Sequence, residues 1–335
     1  MTDVVGFATS HGPTLSLPPE QWESRSGVDR KNRNLVFRGA VYDYESLLAA
    51  RSHEGFAADM SLERMTEKHE RCNAALYSLR ELFADARVSQ AIIVGNDHKE
   101  SFSDECFGAF TVYAGGSVMQ VPASPDDVAT MQPGSDAARV GHTPPQPVSH
   151  QGMPALADAL IAHLTENNFD IARSTMLPPG RFGNRNIPHA YGFVYRQMMA
   201  DDVVPNVPVF VNTFYPPNRP NAARCVAFGQ QLGRFLKSAP VEGRTAVIAS
   251  GGLSHFVIDA DLDHRLLDAM ARGDLEMLAS FDDMSIESGT AEARNWMVVA
   301  AAMAELGRAM EIVDYVPCYR TEAGTGTAMA FATWV

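Results

Sequence analysis

Short apolar runs alternate along this chain with longer stretches in which apolar residues recur every three or four positions. Ala91-Ile92-Ile93-Val94 is apolar without interruption, which predicts a strand buried on both faces, and after Gly95 it breaks into Asn96-Asp97-His98. The same grammar runs from Val4-Val5-Gly6-Phe7-Ala8 through Thr9-Ser10 into His11, and from Ala246-Val247-Ile248-Ala249 through Ser250-Gly251-Gly252-Leu253-Ser254 into His255. Residues 107–113, 169–175, 207–214 and 327–335 read as further strands. Helical spacing appears in residues 63–84, where Cys72, Leu76, Leu79 and Phe83 share a face, and in 153–166, where Leu156, Leu160 and Leu164 align. Residues 221–237 read as another helix, and Pro188 fits a first turn that would set His189 at a helix start.

Between 255 and the last strand the pattern is mainly helical, with Thr290 as the expected cap of a helix that places Glu292 in its first turn. Residues 17–38 are polar and irregular, and 121–152 reads as a long loop with His142 and His150 solvated; His53 and His69 read as surface residues. Strands alternating with helices predict a three-layer α/β/α fold with a central mixed sheet, a helical insertion near the N-terminus, and the histidines gathered on one sheet edge.

Composition narrows the class without naming a chemistry. At 335 residues, 46% hydrophobic and 20% charged, the chain can bury a large core without a metal or disulfide staple. Cys72, Cys106, Cys225 and Cys318 stand far apart, so no zinc knuckle or disulfide framework is written here. The formal charge of −13 excludes a general nucleic-acid binder. No apolar run approaches the ~18 residues of a membrane span and no secretory pattern opens the chain, so the expectation is a cytoplasmic protein without a membrane partner.

Three histidines at strand ends and a carboxylate at a helix start suggest a metal. Two imidazoles and one carboxylate on one face leave the opposite positions open, the ligand set of non-haem Fe(II) oxygenases. The same residue types also suit a catalytic zinc site that activates water, so a zinc-dependent hydrolase stays open. For Glu292 the helix dipole offers a competing explanation, because a first-turn carboxylate is favoured without any ligand.

Taken in order, Thr9-Ser10-His11-Gly12-Pro13, Asn96-Asp97-His98, Pro188-His189-Ala190-Tyr191-Gly192, Val209-Phe210-Val211-Asn212 with Tyr215-Pro216-Pro217, Gly251-Gly252-Leu253-Ser254-His255, and Glu292 before Trp296 form a recognisable set. The chain resembles the class III extradiol ring-cleavage dioxygenases, the family of the catalytic β subunit of protocatechuate 4,5-dioxygenase. That resemblance implies Fe(II) held by His11, His98 and Glu292, with His255 and His189 as acid/base residues. It implies a catecholic substrate and O₂, with a carboxylated, lignin-derived catechol such as protocatechuate, gallate, methylgallate or a substituted biphenyl expected. Arg320 is then the candidate partner of a ring carboxylate, and Tyr215 and Tyr191 are candidates to line the ring pocket. Family members often carry Asp-His-Gly where this chain has Pro188-His189-Ala190-Tyr191-Gly192. On this reading residues 1–335 form a single catalytic domain with an atypical insertion at about 18–88, acting as a cover or a contact in a homodimer. A non-catalytic metal- or peptide-binding relative of the same fold is the other alternative.

Overall fold

The computed structural model describes residues 3–104, 106–180, 183–239 and 241–335. In chain order its elements begin β1 (Asp3–Thr9), α1 (Trp22–Asp29), β2 (Leu35–Phe37), β3 (Ala40–Tyr42), α2 (Tyr44–Arg51), α3 (Leu62–Asp85), β4 (Gln90–Gly95), β5 (Phe110–Tyr113) and β6 (Ser117–Gln120). They continue with α4 (Pro125–Ala129), α5 (Ser135–Ala138), β7 (Val148–Gln151), α6 (Pro154–Glu166), β8 (Ala172–Ser174), α7 (His189–Phe193), β9 (Asn206–Val211) and α8 (Ala222–Ser238). The last third holds β10 (Arg244–Ser250), β11 (His255–Val257), α9 (Ala260–Ala271), α10 (Leu275–Ala279), α11 (Ala293–Glu305), β12 (Met310–Tyr319) and β13 (Thr325–Trp334).

The main sheet runs β11-β13-β1-β10-β4-β9-β5-β8, with β12 added along β13. Its centre, β1-β10-β4-β9, is parallel, and β13 and β5 flank it antiparallel. Alternation along each central strand divides two cores. On β4, Ile92 and Val94 face a core built with α6, α8, α9 and α11, whereas Ala91 and Ile93 face a second core with α3 and α7. Helices therefore cover both faces, giving the three-layer α/β fold with a mixed sheet.

Register decides where the site forms. Thr9 pairs with Ser250, and Ala249 with Val94, so β1, β10 and β4 stop level with one another. The residues that follow each strand emerge side by side at the carboxyl edge, where open α/β sheets present ligands.

Three readings of the pattern need correction. Residues 17–38 contain α1, whose inward face is Trp22, Arg25, Ser26 and Asp29; a helix that buries polar side chains shows no apolar period. Residues 121–152 carry α4 and α5, too short for a period to show, and β7. The last third holds β12, whose charges and Pro317 hid a strand that only an outer position tolerates, since it pairs with β13 alone. Among the described residues no helix is long and apolar enough to cross a membrane.

Candidate metal centre

At the carboxyl edge four imidazoles surround one buried carboxylate. Glu292 is 3% exposed, and a carboxylate taken out of water needs compensating partners. Its Oε2 accepts from the Gly252 N–H at 2.8 Å and faces His11 Nε2 at 3.4 Å and His255 Nε2 at 3.8 Å. Its Oε1 accepts from Asn96 Nδ2 at 3.2 Å and lies 2.9 Å from His98 Nε2. Glu292 precedes α11 but makes no side-chain capping bond, so the dipole explanation does not account for where its oxygens point. Nor does Thr290 cap the helix: its hydroxyl bonds to the backbone of His255. Burial would raise the Glu292 pKa, but attraction to the His11 and His255 rings, which gain their protons in acid before the carboxylate does, outweighs that and holds it well below the ordinary carboxylate range.

The histidines are oriented by the groups behind them. Ser250 Oγ donates its one proton to the Ala190 carbonyl at 2.6 Å, so at 2.9 Å it accepts from His11 Nδ1–H. That leaves the His11 Nε2 lone pair facing the carboxylate. His255 Nδ1–H donates to the Leu253 carbonyl at 2.9 Å, which leaves its Nε2 free in the same way. Burial lowers the pKa of both rings, so both are neutral near pH 7. Gly289 lets β11 come this close, because a Cβ there would lie 2.3 Å from His255 Cδ2. Asn295 Nδ2 donates to the Ser250 carbonyl at 2.8 Å and to Asn96 Oδ1 at 3.0 Å, which turns the Asn96 amide group toward Glu292.

His189 differs from the others. Its backbone N–H donates to Glu100 Oε2 at 3.0 Å, and its Nδ1 is hydrogen-bonded to Glu100 Oε1. Burial works against its charged form, but the Glu100 carboxylate outweighs it and raises the His189 pKa to about 9. The carboxylate that the Pro188-His189 motif lacks at its own position thus arrives from the loop after β4. His189 also borders the centre: a ring nitrogen of His189, one of His11 and a Glu292 oxygen lie within 4.8 Å of one another. The His11 and His189 rings meet edge-on with centroids 4.7 Å apart, and His98 stacks on His189 at 5.8 Å.

The cluster opens into a cavity of about 550 Å³, a volume suited to a small organic ligand. His11, His98, His189, His255, Glu292 and Arg320 all reach its wall. The tyrosines do not. Tyr191 is wholly buried, its hydroxyl donating to the Val209 carbonyl at 2.7 Å, and Tyr215 packs against Phe107 and Phe214 outside the lining. Arg320 is 2% exposed and already clamps Asp29 with two hydrogen bonds.

Glu100, His142 and Arg25 were missed from the pattern. Glu100 stands two residues beyond His98 and could have been suspected; nothing in the surrounding residues marks the other two. His142 is half-buried rather than fully solvated: it lines the cavity beside His189, and burial lowers its pKa to about 3. His150 is also buried and hydrogen-bonds Gln120 Oε1 at 3.0 Å. Of residues 18–88 only Arg25 reaches the cavity, whose outer wall comes instead from 121–143.

A family model described as the catalytic LigB subunit of aromatic ring-opening dioxygenase matches residues 60–330. The chain belongs to the LigB family. The match includes His98, His189, His255 and Glu292 but not His11, which β1 brings in from outside it. A relative from Comamonas testosteroni, 2,3-dihydroxyphenylpropionate/2,3-dihydroxicinnamic acid 1,2-dioxygenase, is 31% identical over 166 residues, 49% of this chain and 42% of that protein. The aligned stretch thus spans less than half of that relative's length. A solved structure of an uncharacterized Escherichia coli K12 protein superposes with a TM-score of 0.45 at 15% identity, covering 77% of this chain and 91% of that one.

Proposed function

We propose that this LigB-family protein is an Fe(II)-dependent extradiol dioxygenase that opens a catecholic ring with O₂. The observation that carries the reading is the buried Glu292 carboxylate with imidazoles at both of its oxygens, opening into a ligand-sized cavity. The donor set fits a metal. His11 offers a lone pair fixed by Ser250, and Glu292 is ionised; for the third position His189 lies within 4.8 Å of both, whereas His98 falls outside that group and approaches only Glu292, its Nε2 2.9 Å from Oε1. His98 is the better ligand, because His189 is held as an imidazolium by Glu100 and an imidazolium has no lone pair to give. His11, His98 and Glu292 would therefore hold Fe(II) as a two-histidine, one-carboxylate face. When bound, the ferrous ion would supply open positions for both catechol oxygens and O₂ and an electron path between them.

The remaining residues divide the proton work. His255 is neutral and its Nε2 lone pair is exposed to the centre, so it can take a catechol hydroxyl proton. His189 keeps its proton near neutral pH and can give it from Nε2 as the oxygen–oxygen bond breaks, with Glu100 stabilising the charge. Two imidazoles with oppositely displaced pKa values make an acid and a base of one residue type. A carboxylated, lignin-derived catechol is the expected substrate class.

Reconstitution with Fe(II) under anaerobic conditions, then O₂ and a panel of catechols, tests the reading. The expected result is stoichiometric O₂ uptake with a yellow ring-opened product. No uptake with Fe(II), or hydrolysis of an ester panel supported equally by Zn²⁺, would overturn it.

A further inference from the structure

A second buried carboxylate stands behind His255. Asp263 lies on α9, is wholly buried, and meets three neutral donors: the Ser254 N–H at 2.8 Å on Oδ1, and on Oδ2 the Ser254 hydroxyl at 2.5 Å and the Tyr315 hydroxyl at 2.8 Å. Arg38, the cation at this end of α9, pairs with Asp259 and Asp261 instead. A carboxylate buried without a cation is costly to keep ionised, and burial pushes the Asp263 pKa up to about 7.

The geometry joins this carboxylate to the histidine. The Leu253 C=O and the Ser254 N–H are the two ends of one trans peptide, so they point in opposite directions. The N–H donates to Asp263 Oδ1 at 2.8 Å, and the C=O accepts from His255 Nδ1–H at 2.9 Å. Carboxylate, peptide and imidazole thus stand in series, and in such a chain each hydrogen bond polarises the next, strengthening it by about 10–30%. The rest of the turn is fixed as well. Ser254 Oγ accepts from the Asp259 N–H at 2.9 Å, the Ser254 carbonyl from the Ala328 N–H at 3.0 Å, and the His255 N–H donates to Thr290 Oγ1 at 3.2 Å. Glu100 bonds the His189 ring directly, whereas Asp263 reaches the His255 ring through one peptide. Neither Asp263 nor Tyr315 lines the cavity, so an effect of either on the reaction has to pass through this turn.

We propose that Asp263 is the positioning residue of His255: through the Leu253–Ser254 peptide it holds Nδ1–H on the carbonyl and keeps the Nε2 lone pair aimed at the catechol hydroxyl and electron-rich. In the step it serves, the catechol O–H bond breaks and an N–H bond forms at Nε2, the electron pair staying on the catechol oxygen. The proposal rests on the ring-cleavage reading, in which His255 is the base.

The test is Asp263→Asn in the Fe(II)-loaded full chain at about pH 8.5, where the native carboxylate is ionised. O₂ uptake is compared for 4-methylcatechol, 4-chlorocatechol and 4-nitrocatechol, whose hydroxyl protons are progressively easier to lose. kcat/KM should fall about tenfold for 4-methylcatechol and progressively less toward 4-nitrocatechol, with bound iron unchanged. A purely structural defect lowers all three alike; that outcome, or no fall, overturns the proposal while ring cleavage stands. If Asp263→Asn does not fold, Tyr315→Phe withdraws one donor from the same carboxylate. It should give a smaller loss with the same dependence on acidity, and an even or absent loss overturns the proposal. If the native protein consumes no catechol, the ring-cleavage reading fails, and NMR of the metal-free chain labelled with ¹⁵N-histidine decides, with His255→Gln assigning the signal. The His255 Nδ1–H proton should move upfield in either variant as its hydrogen bond weakens, and an unmoved resonance overturns the proposal.

Discussion

Replacing Glu100 by Gln removes the charge opposite His189 but keeps an amide oxygen that can accept from Nδ1–H. In the native protein the imidazolium pKa rises from the ordinary 6.5 to about 9. A raised pKa of that size corresponds to about 3 kcal/mol of folded-state stabilisation. Both side chains are mostly buried, at 23% and 20% exposure, so solvent screens the pair only partly. Burial opposes the shift and Glu100 supplies the two largest raising contributions, so a loss on the order of 3 kcal/mol is expected in the variant. Below pH 6.5 His189 is protonated in the folded and the unfolded chain alike, and the full difference between native and variant is present. Between pH 6.5 and about 9 the unfolded chain loses its proton while the folded chain keeps it, so the native advantage shrinks as pH rises. Above that it is gone. Urea unfolding of both proteins from pH 6 to pH 10, with a chelator present so that no cation competes, measures the difference directly. A native-minus-variant difference that stays constant across that range would mean that His189 is neutral in the folded protein, and its role as proton donor would fall with it.

Three further substitutions probe other parts of the same structure. Ser250→Ala removes the acceptor that fixes His11 Nδ1–H, and should weaken metal affinity about tenfold to hundredfold in chelator competition while the fold survives. Gly289→Ala would set a Cβ against His255, so kcat for O₂ uptake should fall sharply with bound metal retained, and unfolding should show a loss of about 1–3 kcal/mol. Leu79→Ala, wholly buried in α3 between that helix and the sheet, should cost about 2–5 kcal/mol by urea unfolding without altering KM.

The residue pattern by itself determined the layers and the three strand-end histidines. An uninterrupted apolar run such as Ala91-Ile92-Ile93-Val94 has few uses other than a strand covered on both faces, and a polar break after it must emerge at an edge. It also marked α3, because Cys72, Leu76, Leu79 and Phe83 fall on one face whatever that face packs against. Tertiary structure alone decided which residues meet. Glu100 pairs with His189 across 89 positions and Asp29 with Arg320 across 291, and neither pair leaves a local period to read. Burial of polar groups hid α1 and brought Arg25 to the cavity wall, because periodicity reports apolar faces and says nothing of a guanidinium packed inward. The two imidazoles proposed as acid and base are distinguished for the same reason. His255 and His189 are the same residue type; burial lowers the pKa of the first, and only the Glu100 carboxylate, positioned by the folded backbone, outweighs burial and raises that of the second.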